Sequence, residues 1–335
     1  MALRLIEVYH KRDKAEKLDL LLKDTPILET WHDHLQDGDS VTKILVKSEH
    51  TESIIDLIEK HFPREDSRRI VILSVEATIP RPEEPEEEKG DKPVKEKTPQ
   101  RISIEELYQK MIELSGVSRK FIIMSTIASF VAALGLLKND VAIIIGSMVI
   151  APLLGPNMSL SLATTLADLK LAKKAVLTNM TGFSIVLSIG IIMGIFLDVD
   201  PGIPQISARS NVSHLYIFLA LASGVAGAYS ITTRVAEAFV GVMVAVAILP
   251  PLVAAGLLFG AACWMEGVGA LLLCLVNLVC INLSGVITFL IEGVQPKRWW
   301  EAKIAKKAVT MAISIWIILL AFLVIMIFIS QKMRL

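Results

Sequence analysis

The sequence predicts a polytopic α-helical membrane protein built from inverted three-helix repeats plus a terminal helix. An N-terminal α/β domain of ferredoxin-like βαββαβ order precedes it. Three observations predict this. The 335 residues are 53% hydrophobic, their mean hydropathy is +0.58, and the apolar residues cluster after residue 118. One glycine–proline stretch inside the apolar region has a counterpart 95 positions further on, since Gly241 lies 95 after Gly146. Before the apolar region, short period-2 runs alternate with helical stripes.

Composition removes several function classes. Lys+Arg and Asp+Glu are both 34, so the net charge is zero and draws no nucleic acid. Met1–His10 has no long apolar core, so it is not read as a secretory signal and the first hundred residues are expected in the cytoplasm. Cys263, Cys274 and Cys280 fall in apolar segments and read as buried thiols rather than as disulfides or a zinc set. No nucleophile–base arrangement and no phosphate-binding loop occurs, so neither an enzyme nor a cofactor is expected.

Residues 1–78 read as one small domain. Leu3–Tyr9 has strand character, and Lys11–Lys23 places Leu18, Leu21 and Leu22 on one side of a helix. Ile27–Leu35 and Val41–Lys47 read as strands, with Asp37-Gly38-Asp39 as the turn. Glu52–Phe62 carries Ile54, Ile55, Ile58 and Phe62 on one stripe, Pro63 stops it, and Arg69–Ala77 is the last strand. His32 and His34 share a strand face and make at most half a metal site. With no cysteine and no ligand spacing beside them, solvent or interface histidines are the plainer reading.

Residues 79–100 form a proline-rich charged linker with no apolar periodicity. Residues 101–118 form an amphipathic helix opened by the capping box Ser103-Ile-Glu-Glu106, with Ile104, Leu107, Met111 and Leu114 as its stripe. This helix is expected at the membrane surface or on the N-terminal domain. Residues 119–335 supply seven spans, at about 121–137, 141–165, 174–197, 213–230, 236–260, 265–291 and 308–330. Loops placed inside carry Lys170, Lys173, Lys174, Arg234, Lys297, Arg298, Lys303, Lys306 and Lys307. Those placed outside carry Lys138 and Arg209. This positive-inside bias puts the N-terminus in the cytoplasm, although Lys332 and Arg334 run against it.

The chemistry-bearing stretch is Gly146-Ser-Met-Val-Ile-Ala-Pro-Leu-Leu-Gly-Pro-Asn157. Pro152 and Pro156 lack backbone N–H groups, so an ideal helix cannot continue through them. In hydrocarbon the freed carbonyls need partners in protein or a wet cavity. A break near mid-membrane is a candidate binding or permeation site, and a packing kink is its bland alternative. The counterpart, Gly241-Val-Met-Val-Ala-Val-Ala-Ile-Leu-Pro-Pro251, offers Pro250 and Pro251 as a second break, Pro251 lying 95 after Pro156. A second matched pair, Asn179-Met-Thr-Gly182 and Asn282-Leu-Ser-Gly285, is separated by 103, which predicts an insertion in the second loop of the later copy. Ser147, Asn157, Asn179, Thr181, Asn282 and Ser284 are therefore the candidate lining. Coordination of a cation or small polar solute stands beside plain interhelical hydrogen bonding. The spans hold very few charges, which counts against an acidic proton relay.

The run Gly146-Ser-Met-Val-Ile-Ala-Pro-Leu-Leu-Gly-Pro-Asn-Met158, with Asp168 after it, resembles the domain of unknown function 389 family over about residues 115–290. The resemblance implies a prokaryotic membrane protein, with a soluble domain before its membrane part. It carries over no functional residues. From the residues themselves the expected function is a transporter or channel for a small ion or polar solute, regulated by the cytoplasmic domain, in a prokaryotic cell (inner) membrane. The alternative is a membrane-anchored sensor of a small ligand, or a scaffold, without transport. Small-residue seams such as Gly256-Leu-Leu-Phe-Gly260 further suggest a homo-oligomer, with a dimer the simplest closed form.

Overall fold

Of the 335 residues, the computed structural model describes residues 3–23, 25–35, 39–61, 67–75, 78, 104–210, 215–233, 237–294 and 299–332. The linker 79–100, the Asp37-Gly38 turn, Phe62, Pro63, Ala77, Ser103 and Arg234 lie outside the described residues. Two units emerge, Met1–Leu107 and Tyr108–Leu335.

The first unit is a four-stranded antiparallel sheet with two helices. Its elements are β1 (Leu3–Lys11), α1 (Ala15–Leu22), β2 (Ile27–His34), β3 (Asp39–Lys47), α2 (Thr51–His61) and β4 (Ser67–Val75). The strand order is β2-β3-β1-β4, with β1 antiparallel to both β3 and β4, and β3 antiparallel to β2. The alternation of β1 turns Ile6 and Val8 toward Leu18 and Leu22 of α1 and Ile54, Ile55 and Ile58 of α2, with Ile44 and Val46 of β3 in the same core. Each such side chain contributes about 1.5–3 kcal/mol on burial.

His32 and His34 do share a face, and each faces a hydroxyl: His32 Nδ1 lies 3.0 Å from Thr42 Oγ1 and His34 Nδ1 3.1 Å from Ser40 Oγ. Among the described residues no group of three or more His, Cys, Asp or Glu side chains is placed to hold a metal ion.

The second unit is helical. After α3 (Ile104–Leu114), whose first turn belongs to the first unit, come α4 (Arg119–Leu137), α5 (Val141–Ile150), α6 (Leu154–Leu166), α7 (Leu169–Phe196), α8 (Pro204–Ser210), α9 (Leu215–Thr233), α10 (Glu237–Gly260), α11 (Trp264–Ile291) and α12 (Trp299–Lys332). Side-chain oxygens start three of them: Ser118 accepts from the Phe121 N–H, Asp140 from Ala142 and Ile143, and Asp168 from Lys170 and Leu171. Six of the described helices are long and apolar enough to cross a bilayer, or seven spans if the bent pair α5–α6 counts as one. Several such helices point to a membrane protein.

Helix α10 is central, touching α4, α5, α7, α9 and α11, while α12 sits at the rim against α11 and α6. Its seam with α7 is backbone on backbone. Gly190 meets Gly256, and Gly194 meets Gly260, so the two helices run parallel with no room for a Cβ at any of the four. This is the small-residue packing that lets helices associate in lipid, where apolar burial alone gives no advantage.

Candidate functional site

The site begins at Pro152. Ala151 is extended (φ −69°, ψ 120°), as a residue before proline tends to be. Helices α5 and α6 meet there at 55°. The Leu153 N–H turns back to the Ala151 carbonyl at 3.0 Å instead of continuing a helix. Pro156 falls in the first turn of α6, where the backbone N–H it lacks would be unpaired in any case. Ser147 is buried but donates to Ile144 O of its own helix at 2.6 Å.

One turn beyond the break, α6 and α11 share a buried polar cluster. Asn282 Nδ2 donates to Asn157 Oδ1 at 3.2 Å and to Leu278 O at 2.9 Å. Asn157 Nδ2 donates to Leu153 O at 2.8 Å. Ser161 Oγ lies 3.3 Å from Asn282 Oδ1 and 3.2 Å from Asn282 O. All three residues are fully buried. Gly285 permits the approach, since a Cβ there would stand 2.7 Å from Ser161 Oγ. Interhelical bonds of this kind contribute about 0.6 kcal/mol each, rarely above about 1.7.

The other expected lining residues go elsewhere. Thr181 is half-buried and donates to Leu177 O of its own helix at 2.8 Å. Ser284 donates to Cys280 O at 2.8 Å and packs on Gly224. Asn179 is 6% exposed, and neither its Nδ2 nor its Oδ1 has a hydrogen-bond partner among the described residues.

The pairing of Asn179 with Asn282 through an insertion is corrected by the helix bounds. The link from α6 to α7 is residues 167–168 and that from α10 to α11 is residues 261–263, so the second loop holds no long insertion. Helices α7 and α11 are both 28 residues long. Asn179 stands ten positions after Leu169, and Asn282 eighteen after Trp264. They occupy different levels of their helices.

The second break is also corrected. Helix α10 runs unbroken from Glu237 to Gly260 with Pro250 and Pro251 inside it. Pro251 supplies no N–H to Ala247 O, four residues back, and Asn277 Nδ2 of α11 fills the gap at 2.7 Å. Cys274 Sγ approaches Ile248 O at 3.6 Å on the same side. Asn277 is thus the donor that proline removed, a role visible only once α10 and α11 are side by side.

Sequence reasoning also missed the end of α3. From Tyr108 onward this helix is hydrogen-bonded to α6, α7 and the Asp168 link between them. The Tyr108 hydroxyl donates to the Asp168 carboxylate, which pushes Tyr108 up to about 12. Burial presses Asp168 upward, but the Tyr108 hydroxyl and the Leu171 and Lys170 N–H groups outweigh it and leave its carboxyl below the ordinary value. At the C-terminal end, Ser159 of α6 donates to Met111 O at 3.0 Å, beside the Ser115 N–H that the same carbonyl accepts. From α7, Lys174 donates to Ile112 O and Thr178 to Ser115 O, both at 2.6 Å. The Lys174 ammonium also suits the negative end of the helix dipole. In the first unit, Arg4 holds Glu106, in the first turn of the same helix, at 3.1 Å.

Comparison with known proteins supplies a family. Residues 148–283 match the family model described as a domain of unknown function (DUF389), a range that contains the break, the prolines of both stretches and the Asn157–Asn282 cluster. The chain is similar to the "Uncharacterized protein MJ0678" of Methanocaldococcus jannaschii, with 37% identity over 280 residues covering 84% of this chain and 85% of the relative. No solved structure matches it.

Proposed function

The chain belongs to the domain of unknown function 389 family, and from that premise we propose that it passes a small ion or polar solute through a prokaryotic cell membrane, its N-terminal unit lying in the cytoplasm as a regulator. The observation that carries the reading is the broken span α5–α6, with Asn157 and Ser161 one and two turns beyond the break against Asn282 of α11. A break inside an apolar bundle, followed at once by neutral amide and hydroxyl groups, suits a weakly held solute that must also be released. Charged carboxylates are absent from this cluster, so a neutral solute or a partly dehydrated cation fits better than a proton relay.

An inverted-repeat architecture supports the same reading. Helices α7 and α11 begin 95 positions apart, at Leu169 and Trp264, and end 95 apart, at Phe196 and Ile291. The left-handed residues Ala167 and Ala262, which follow α6 and α10, are separated by the same 95. Three helices per half would turn the second half over in the membrane. A dimer is the simplest assembly for such a bundle.

The alternative, an anchored sensor or scaffold, draws on a different fact: Asn157, Ser161 and Asn282 already bond one another. A liposome flux assay over a panel of ions and solutes, run beside a thermal melt, separates the two. Asn157→Leu and Asn282→Leu should each abolish the flux of the unaltered protein while shifting its melting only modestly. Normal flux in both folded variants overturns the assignment of the site, and absence of flux from the unaltered protein for the whole panel favours the scaffold.

A further inference from the structure

We propose that the segment Tyr108–Ser115 is an inhibitory strap that holds α6 against α7 and must let go before α6 can swing about the Ala151–Leu153 break. The proposal deepens the transport reading and rests on it for its consequence, though not for its geometry.

Four observations carry it. The segment runs antiparallel to α6. Tyr108 binds Asp168 just past the α6 C-terminus, Met111 O takes the Ser159 hydroxyl further back, and Leu114 abuts Gly155 in the first turn. The last contact leaves no slack, because a Cβ on Gly155 would stand 2.9 Å from Leu114 Cβ and 3.2 Å from Leu114 O.

The same segment is tied to α7. Lys174 and Thr178 hold Ile112 O and Ser115 O. The end of α3 therefore fastens two neighbouring helices through carbonyls at its C-terminus, of which Met111 O also accepts from the Ser115 N–H and Ile112 O from the Ser115 hydroxyl. It does so with one tyrosine, two hydroxyl side chains and one lysine, each able to exchange its partner for water.

The hinge is already present. Ala151 is extended, Pro152 has no N–H, and α6 leaves α5 at 55°. A rigid α6 turning about that point carries Gly155 and Ser159 away from Leu114 and Met111, so the strap and the swing exclude each other.

Finally, Asn179 follows directly on the strapped Thr178 of α7, buried with both amide atoms unpartnered among the described residues. A buried amide without partners is unfavourable, and release of the strap gives it water or solute.

The test uses the full-length protein in liposomes, with Cys263, Cys274 and Cys280 replaced by alanine and a single reporter, Asn179→Cys, exposed to a water-soluble maleimide. Tyr108→Phe combined with Lys174→Met should raise the labelling rate at least tenfold at an unchanged fold, checked by thermal melt. Tyr108→Phe alone, a milder change, should raise it severalfold. In the cysteine-free protein that retains Asn179, the same substitutions should raise flux.

Labelling that stays at the unaltered rate in both variants overturns the strap. Faster labelling with no flux in any protein, unaltered or variant, leaves the strap in place and overturns the transport reading. Faster labelling with flux present but unchanged overturns the inhibitory role.

Discussion

The two proline stretches share a pattern and part in geometry. Around Pro152 the chain breaks into α5 and α6, whereas around Pro250 and Pro251 it stays one helix, α10. The alignment at 95 positions explains the difference. Pro251 is the counterpart of Pro156, which lies harmlessly in the first turn of α6. Pro152, which makes the break, has Ala247 as its counterpart. The proline that recurs is not the one that bends the chain. At the second stretch the Ala247 carbonyl freed by Pro251 is claimed by Asn277. Of the donors that Pro250 and Pro251 remove, the one owed to Ala247 O is thus supplied from a neighbouring helix.

The largest test of this comparison removes the frame both stretches hang on. Gly194→Leu would place a Cβ 2.2 Å from Leu257 O, a backbone atom that cannot step aside. The parallel seam of α7 and α10 should part, at a cost of about 3 kcal/mol or more, read as a lowered thermal midpoint in detergent. An unchanged midpoint would mean that the seam does not hold the halves together.

A sharper test acts on the second stretch alone. Asn277→Leu leaves Ala247 O without a donor, a loss of about 1–3 kcal/mol, and should turn α10 into a bent helix resembling the first stretch. Spin labels placed on either side of Pro250 should then report a shorter distance. A straight α10 in this variant would contradict the donor argument.

The smallest effect concerns the broken side only. The folded bundle favours the neutral Tyr108 hydroxyl, raised to about 12 from 10.0, so its contribution is complete below pH 10.0 and is lost as the pH climbs through about 12. Asp168 is lowered from 3.8, so its contribution is complete above pH 3.8 and disappears as the pH falls through the lowered value. The protection of α3 amides, taken relative to the intrinsic exchange rate at each pH, should fall at both extremes and stay flat between them, with that of α10 unaffected. Tyr108→Phe should remove the alkaline limb; its persistence would show that some other group titrates.

Much of this was legible in the sequence, because apolar length and period are local properties. The broken second span and the strand–helix order before it follow from residues that are neighbours in the chain. Pro152 announced its own break. What was not legible depended on partners distant in the chain. The Asn-x-x-Gly match suggested that Asn179 and Asn282 were equivalent, but helix bounds place them at different levels. Of the stripe Ile104, Leu107, Met111, Leu114, expected at the membrane surface or on the N-terminal domain, Leu107 and Met111 are buried. Lys174 was legible as an inside-loop cation, but its bond to the Ile112 carbonyl and that of Asp168 to Tyr108 were not.

The central claim is that solvent and solute reach the broken stretch and not its unbroken counterpart. Cysteine accessibility in liposomes tests this directly, with the three native cysteines replaced by alanine. Asn157→Cys, one turn past the break, is compared with Leu252→Cys, which lies 95 positions on within the continuous helix α10. The account predicts that a water-soluble thiol reagent modifies position 157 much faster than position 252, and that a transported solute slows the reaction at 157. Equal and negligible labelling at both positions, in protein shown to be folded, would contradict it.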